Sequence, residues 1–374
     1  MRTPAVRVLH IATRYRRGGS EQRIRDLLAA LDDADHSVLV GADSDLSLAQ
    51  DQLGVPVAMV ASLVRAPRPD LDLCALVQLA RVIRREAPTI VVTHQSKAGA
   101  VGRLAARLAG GVPVVHSLSM ANFGPGFGRA EGMVFRVVER LLAPATSRYV
   151  VVGADLARRF EVAGIPAHKL TIVRSAAALP AECPTERPSL PAVPDGRPVV
   201  LCLGALESRK NPLDLVPLLA RVQETVPDAF LAIAGDGPLA GDLGAAIARA
   251  GLASDGVLLG YVKPVEPLLW RADVVVLLSD AEGLPQVLIQ AAAAGTPFVS
   301  YDVDGAREVV ALGAEGSVVP LGDVEAAAAA IVRLLRAGAP RRRRADLASW
   351  DRAVIHRSYR AVISEVAEGG RRAG

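Results

Sequence analysis

The run D-V-V-V-L-L from Asp273 to Leu278 restricts the fold more than any other stretch of the chain. Its valines and leucines do not alternate with polar residues, so both faces of the segment must be covered. That is the pattern of a strand buried inside a parallel sheet. The loop that follows, Asp280 to Pro285, then lies at the strand's carboxyl end, the edge where open α/β sheets bind ligands. Pro285 suits a first helical turn, and Val287, Leu288, Ala291 and Ala292 share one helix face, which leaves Glu282 and Gln290 at the two ends of the element. A further strand, Phe298 to Ser300, delivers Asp302, Asp304, Gly305 and Glu308 to the same edge.

Strand and helix alternate along the whole chain. Val6–Ile11, Ser37–Val40, Val57–Val60, Thr89–Val92, Tyr149–Val152, Thr171–Val173, Val199–Leu203, Ala229–Ala234 and Val257–Leu259 read as strands. Leu73, Leu76, Val77, Ala80 and Ile83, and later Ala130–Leu142 and Ala154–Ala163, have helical spacing. At 374 residues the chain exceeds the roughly 250 to 300 residues of a single core, so two domains are expected. Six prolines between Pro180 and Pro198 mark the linker. The expected division is residues 1–178, a linker at 179–197, a second domain at 198–340, and a basic tail at 341–374 that forms a helix.

Composition narrows the function. Aromatics make up only 3% of the residues, which argues against a stacking platform for nucleic acid. No apolar run reaches the ~20 residues of a membrane span, and Arg7 interrupts the first apolar stretch, so a cytoplasmic protein is expected. Cys74, Cys183 and Cys202 are widely spaced and suggest neither a disulfide framework nor a zinc site. The net charge of +4 conceals an asymmetry: residues 1–179 hold 23 Lys+Arg against 15 Asp+Glu, and residues 180–340 hold 11 against 20. A basic first half favours an anionic acceptor or a phospholipid surface.

Several loops carry candidate ligand groups. Gly18 and Gly19 precede a helix that Ser20 would cap, and paired glycines there let backbone N–H groups approach a phosphate. His94, Ser96 and Lys97 stand at the start of another helix, where they could hold an anion or an acceptor hydroxyl. Asn122-Phe123 and Gly124-Pro125-Gly126 read as a flexible loop suited to an acceptor lid. In the second half, G-A-L-E-S-R-K-N-P after Leu203 brings Arg209 and Lys210 to a strand end.

Together these stretches resemble family 4 retaining glycosyltransferases of the GT-B fold. The resemblance rests on Glu282-Gly283-Leu284-Pro285, the polar residue eight positions after the glutamate, Ala-Gly-Thr-Pro, and Asp-Val-Asp-Gly-Ala-Arg-Glu. It extends to Gly-Gly-Ser-Glu in the first loop, the His-x-Ser-Lys-Ala-Gly segment, and the loop ending in Lys210. It implies two doubly wound Rossmann-like domains facing a cleft, with the tail helix crossing back to the first. It also implies a nucleoside diphosphate sugar as donor, with no cofactor, and a hydroxyl acceptor that is a glycan, a lipid-linked saccharide or a natural product; the charge split is what points to an anionic, lipid-linked acceptor and to peripheral contact with the inner membrane face. No metal is expected, because Asp302-Val303-Asp304 is the one Asp-x-Asp pair at such a loop and Lys210 with helix N-termini can carry the phosphate charge. Glu282 would touch sugar hydroxyls, Lys210 and Arg209 the diphosphate, and Tyr261 and the Val262 backbone the base, with Glu308 on the donor side. Three positions depart from the pattern. Ser119 stands where a histidine near the transferred sugar is usual, Ala205 where an arginine is, and Gln290 where the second glutamate contacts the ribose. His116, three residues before Ser119, is an odd offset away and faces the other side of the strand. These departures keep open a catalytically degenerate, sugar-nucleotide-binding partner subunit. A Rossmann oxidoreductase is disfavoured, because R-Y-R-R-G-G replaces Gly-x-Gly-x-x-Gly after the first strand.

Overall fold

The computed structural model describes residues 6–16, 19–124, 126–176, 184, 186–338 and 346–373. Gly18, Pro125, Pro180, Cys183 and the arginine run Arg341–Arg344 lie outside the described residues, as do the side chains of Ser20 and Ser96. Contacts divide the chain into two units. Unit 1 is Met1–Ala176 with Ser349–Gly374, and unit 2 is Ala177–Ala348.

Unit 1 is built on seven strands: β1 Arg7–Ala12, β2 Asp35–Gly41, β3 Val57–Val60, β4 Ile90–His94, β5 Val114–Leu118, β6 Arg148–Val151 and β7 Leu170–Ile172. Every pairing is parallel, in the order β3-β2-β1-β4-β5-β6-β7, so the order reverses between β1 and β4. One face packs on helices Pro69–Glu86 and Ser96–Leu108 through Leu9, Ile11, Leu79, Ile83 and Val101. The other receives helix Gly19–Ala30 and the final helix Arg352–Ala373, whose Ile355, Tyr359, Val362 and Ile363 meet Leu27, Ile90 and Val92. That final helix begins later than its apolar spacing suggests. Trp350, within the tail expected to be helical, lies in a preceding 3-10 turn, Ala348–Trp350, fully buried with the Arg174 guanidinium 4.4 Å above its ring.

Four histidines of unit 1 are bonded within or beside its sheet. On one face His36 Nε2 meets the Leu31 carbonyl at 2.9 Å, His36 Nδ1 meets His10 Nε2 at 3.0 Å, and His10 Nδ1 meets His94 Nε2 at 3.2 Å. A carbonyl only accepts, so neutral His36 must carry its proton on Nε2, and the same logic puts a proton on Nε2 of His10 and of His94. On the other face His116 Nδ1 bonds Thr93 Oγ1 at 2.8 Å, and Gly99 leaves room for its ring: a Cβ there would come within 2.1 Å. Burial lowers the pKa of His10 and His116 well below 6.5 and that of His94 to about 3. A histidine whose folded pKa is depressed supplies stability above the unfolded pKa and loses it as pH falls below that value. Acidification below about pH 6.5 is therefore expected to cost unit 1 about 1.4 kcal/mol per pH unit for each such histidine. Chemical denaturation at about pH 7 and about pH 5.5 checks this, and His116→Gln should make the loss less steep.

Unit 2 contains β8 Val199–Leu203, β9 Phe230–Ala234, β10 Gly256–Gly260, β11 Val274–Leu277, β12 Phe298–Tyr301 and β13 Gly316–Val319, all parallel in the order β10-β9-β8-β11-β12-β13. The order reverses between β8 and β11. β11 is buried at every residue, as its unbroken apolar run requires. The helix after it runs Gln286–Ala294 and is buried nearly all round, so the face drawn from Val287, Leu288, Ala291 and Ala292 is wider than expected. Pro285 is not in its first turn; it is the extended residue before the helix, at φ −68° and ψ 106°. Ala-Gly-Thr-Pro also has a structural cause. Gly295 ends the helix in the left-handed conformation at φ 68°, and the Thr296 hydroxyl donates to the Leu269 carbonyl at 2.6 Å.

Candidate active site

The strand order places the unit 2 switch point between the carboxyl ends of β8 and β11, where the loops Gly204–Asn211 and Ser279–Pro285 emerge side by side. Backbone hydrogen bonds stitch these loops to their neighbours. Gly204 N donates to the Ala234 carbonyl at 3.0 Å, Gly235 N to Gly260 at 2.8 Å, and Asp280 N to Arg209 at 2.9 Å. Gly235, at φ 156°, lies so close to Gly204 that a Cβ would meet the Gly204 carbonyl at 1.8 Å. Gly305, at φ 82°, serves the loop after β12 in the same way, since a Cβ would sit 2.7 Å from Leu284 Cδ1. Glycine at these positions lets the loop after β9 approach that after β8, and the loop after β12 approach that after β11.

Two cations converge on one carboxylate in this crevice. Lys210 Nζ donates to Glu282 Oε1, and Arg209 Nη1 reaches the same oxygen at 3.3 Å and the Ala281 carbonyl at 2.7 Å. Arg209 Nη2 is held by Glu207 Oε1 at 2.8 Å. The Glu282 side chain is only 12% exposed. Burial alone would raise its pKa, but the Lys210 and Arg209 charges outweigh burial and hold the carboxyl below its usual range. Three short structures set this geometry: a 3-10 turn Ser208–Lys210, a left-handed Asn211 at φ 46°, and a second 3-10 turn Pro212–Asp214. Asn211 Nδ2 donates to the Leu278 carbonyl at 3.1 Å and to Asp280 Oδ1 at 2.6 Å, which ties the lysine loop to the glutamate loop. Asparagine before proline is a turn signal, and it is the one mark in the sequence that points to this role of Asn211.

The remaining donor-side residues occupy the same edge of unit 2 with different exposures. Gly283, Leu284 and Pro285 are buried, so only backbone is available from much of that loop. Gln290 is half-buried in the middle of its helix, one turn in and not at the end where periodicity placed it. Tyr261 is 61% exposed just after β10, and Val262 is half-buried. Glu308 is half-buried on the short helix Ala306–Ala311. Asp302 is paired in fork geometry with Arg307, both contacts 2.8 Å. Cys202 lies beneath the lysine loop with its thiol pushed up to about 11 by burial.

The acceptor-side candidates His94, Lys97 and Asn122 belong to unit 1, as do the donor-side candidate Gly19 and the catalytic candidate Ser119. His94 is the last residue of β4, not the opening of a helix, and only 5% exposed; helix Ser96–Leu108 begins after Gln95, which is left-handed at φ 69°. Lys97 Nζ is held by Asp72 Oδ1 at 2.5 Å and by the Ala66 carbonyl. Gly19 opens helix Gly19–Ala30 after β1. Ser119 follows β5 and is half-buried, and Asn122 is half-buried in the next loop. That loop is more firmly anchored than its glycines suggest. Phe123 is 3% exposed with its ring 5.2 Å from Phe160, and Arg136 sits 5.5 Å over it. His116 cannot replace the missing histidine: it is fully buried beside Thr93 on the opposite side of the strand.

With this geometry in hand the comparisons are specific. Residues 197–337 match the family described as Glycosyl transferases group 1, and residues 18–176 match the Glycosyl transferase 4-like domain. Over 272 residues, 70% of each chain, the protein is 27% identical to the UDP-Gal:alpha-D-GlcNAc-diphosphoundecaprenol alpha-1,3-galactosyltransferase of Escherichia coli. It is 24% identical to the phosphatidyl-myo-inositol mannosyltransferase of Mycolicibacterium smegmatis, across 94% of this chain and 92% of that one. Among solved structures, Anabaena HepE in complex with UDP has the same fold, with a TM-score of 0.69, 19% identity, and 98% of both chains covered.

Proposed function

The chain belongs to the group 1 glycosyltransferases of the GT-B fold, and we propose that it transfers a sugar with retention from a nucleoside diphosphate sugar to an anionic, lipid-linked hydroxyl acceptor. The observation that carries this reading is the convergence of Lys210 and Arg209 on Glu282 at the β8/β11 switch point. A donor diphosphate placed there would take over the lysine and the arginine fork, which stabilise the charge that develops as the sugar–phosphate bond breaks. Glu282, released from its cations, would accept hydrogen bonds from sugar hydroxyls. Gln290 would contact the ribose and Tyr261 the base. Lys210, Arg209 and backbone N–H groups supply the positive charge in this scheme, so transfer needs no metal.

The acceptor side of the proposal rests on charge. Unit 1 holds 28 Lys+Arg against 18 Asp+Glu, and unit 2 holds 15 against 21. Two relatives are named for acceptors that are anionic lipids, a diphosphoundecaprenol and a phosphatidyl-myo-inositol. A peripheral site at the inner membrane face suits such a substrate, and no described helix is long and apolar enough to cross a membrane.

Thermal shift with UDP-, GDP- and TDP-sugars tests the donor, since a ligand bound only by the native state raises apparent stability. The anomeric configuration of the product tests retention, and an inverted product would refute that part. Gln290→Glu is expected to change transfer by less than about threefold. A glutamine already accepts one ribose hydrogen bond, and a carboxylate there strengthens a contact it does not create. Initial rates at saturating acceptor check this.

A further inference from the structure

The exposed large apolar side chains of the described residues are unevenly placed. Of fourteen, four lie on helix Arg129–Leu142 and two on its neighbour Ser96–Leu108, both in unit 1. At 3.6 residues per turn, Met133, Val134, Val137 and Leu141 fill one arc of about 100°. They are 67, 62, 49 and 73% exposed. Gly132, Glu139 and Leu142, on the opposite side, are buried and hold the helix to the unit. Arg129, Arg136 and Arg140 are also exposed, and the same helical geometry sets them in a row directly beside the apolar arc; within the unit Arg136 lies over the Phe123 ring and Arg140 Nε donates to the Ala163 carbonyl. Glu131 is the one exposed carboxylate of this helix. Leu104, Leu108 and Arg107 repeat the pairing of apolar and basic exposure next door. Soluble surfaces scatter such apolar residues singly, and a concentrated arc marks a contact surface.

We propose that this face of helix Arg129–Leu142 docks unit 1 on an anionic lipid bilayer, with the apolar arc in the headgroup–acyl boundary and the arginine row on lipid phosphates. The inference deepens, and rests on, the reading of the acceptor as lipid-linked. Charge selects this occupant over a second copy of the chain. A two-fold contact sets the same patch against itself, which would bring two arginine rows together with only Glu131 to offset them. A bilayer with anionic headgroups complements both the row and the net positive charge of the unit.

Sedimentation with vesicles tests the proposal. The full chain should partition at low ionic strength onto phosphatidylcholine vesicles containing about one-third phosphatidylglycerol, far less onto phosphatidylcholine alone, and lose binding as salt rises. The double variant Met133→Glu, Val137→Glu should bind at least about tenfold less, whereas Leu321→Glu, an exposed apolar position on unit 2, should bind as the wild type does. The thermal shift given by the nucleotide sugar should be the same in all three proteins, so a failure of docking is separable from a failure of the donor reading. Equal binding by the double variant overturns the proposal. So does absence of wild-type binding, with or without a concentration-dependent dimer that the double variant abolishes.

Discussion

Replacing Lys210 with alanine is expected to lower kcat by about 10²- to 10³-fold, the size of effect seen when a donor to developing transition-state charge is removed. Lys210 is the cation nearest to Glu282, and Arg209 divides its fork between Glu282, Ala281 and Glu207. Because the arginine expected at Ala205 is missing, little else on this loop can take over the diphosphate charge. Glu282→Ala should cost a similar factor for a different reason: in the proposed scheme it removes the acceptor of the sugar hydroxyls. The double variant should be little worse than either single one, since groups that act as a unit are not additive. Steady-state rates of nucleoside diphosphate release check all three. Acid should expose the same pairing as a stability effect. The depressed Glu282 carboxyl contributes stability above its ordinary value of 4.5 and loses it as pH falls through the folded value, so the destabilisation caused by Lys210→Ala should shrink on acidification.

The largest stability effect is expected inside unit 1. Arg103 and Glu139 form a two-pronged ion pair, 2.8 Å at each prong, with side chains 0% and 6% exposed. Arg103 also donates to the Gly99 carbonyl at 2.8 Å and to the Tyr149 hydroxyl at 3.0 Å, and burial pushes the Tyr149 pKa up to about 12. Glu139→Ala leaves a desolvated guanidinium without its counter-charge and should destabilise unit 1 by about 3–5 kcal/mol. Replacing both partners with apolar residues, Arg103→Met with Glu139→Leu, should recover most of that loss, because the desolvation cost disappears with the charges. Urea unfolding of the three proteins at one pH measures the difference.

Much of this molecule can be read from local pattern. Unbroken apolar runs such as Val274–Leu277 identify strands buried on both faces, and E-G-L-P after that run locates the ligand edge. What stayed hidden depends on partners distant in sequence. Nothing around Arg103 announces that its counter-ion is Glu139, thirty-six residues on, and nothing around His10 announces His36 and His94. Short elements are also hard to read, because a 3-10 turn before a helix keeps the apolar spacing of the helix; nothing in the tail's pattern separates Trp350 from Arg352–Ala373. Gln290 and Pro285 show the same limit at the other scale, where the pattern locates the element but not its first residue. Exposure was the least legible property. The helical spacing of Ala130–Leu142 does not say which of its apolar residues are covered, and only the packed structure leaves Met133 and Leu141 at the surface.

The most direct test of the central claim is release of nucleoside diphosphate by the purified protein from a sugar nucleotide that it demonstrably binds, with and without a lipid-linked pyrophosphate acceptor. Turnover that rises with the acceptor, survives EDTA, and falls about 10²-fold or more in both Lys210→Ala and Glu282→Ala is the predicted result. Tight donor binding with neither transfer nor hydrolysis would contradict it, and would make the β8/β11 crevice a site that holds a sugar nucleotide without using it.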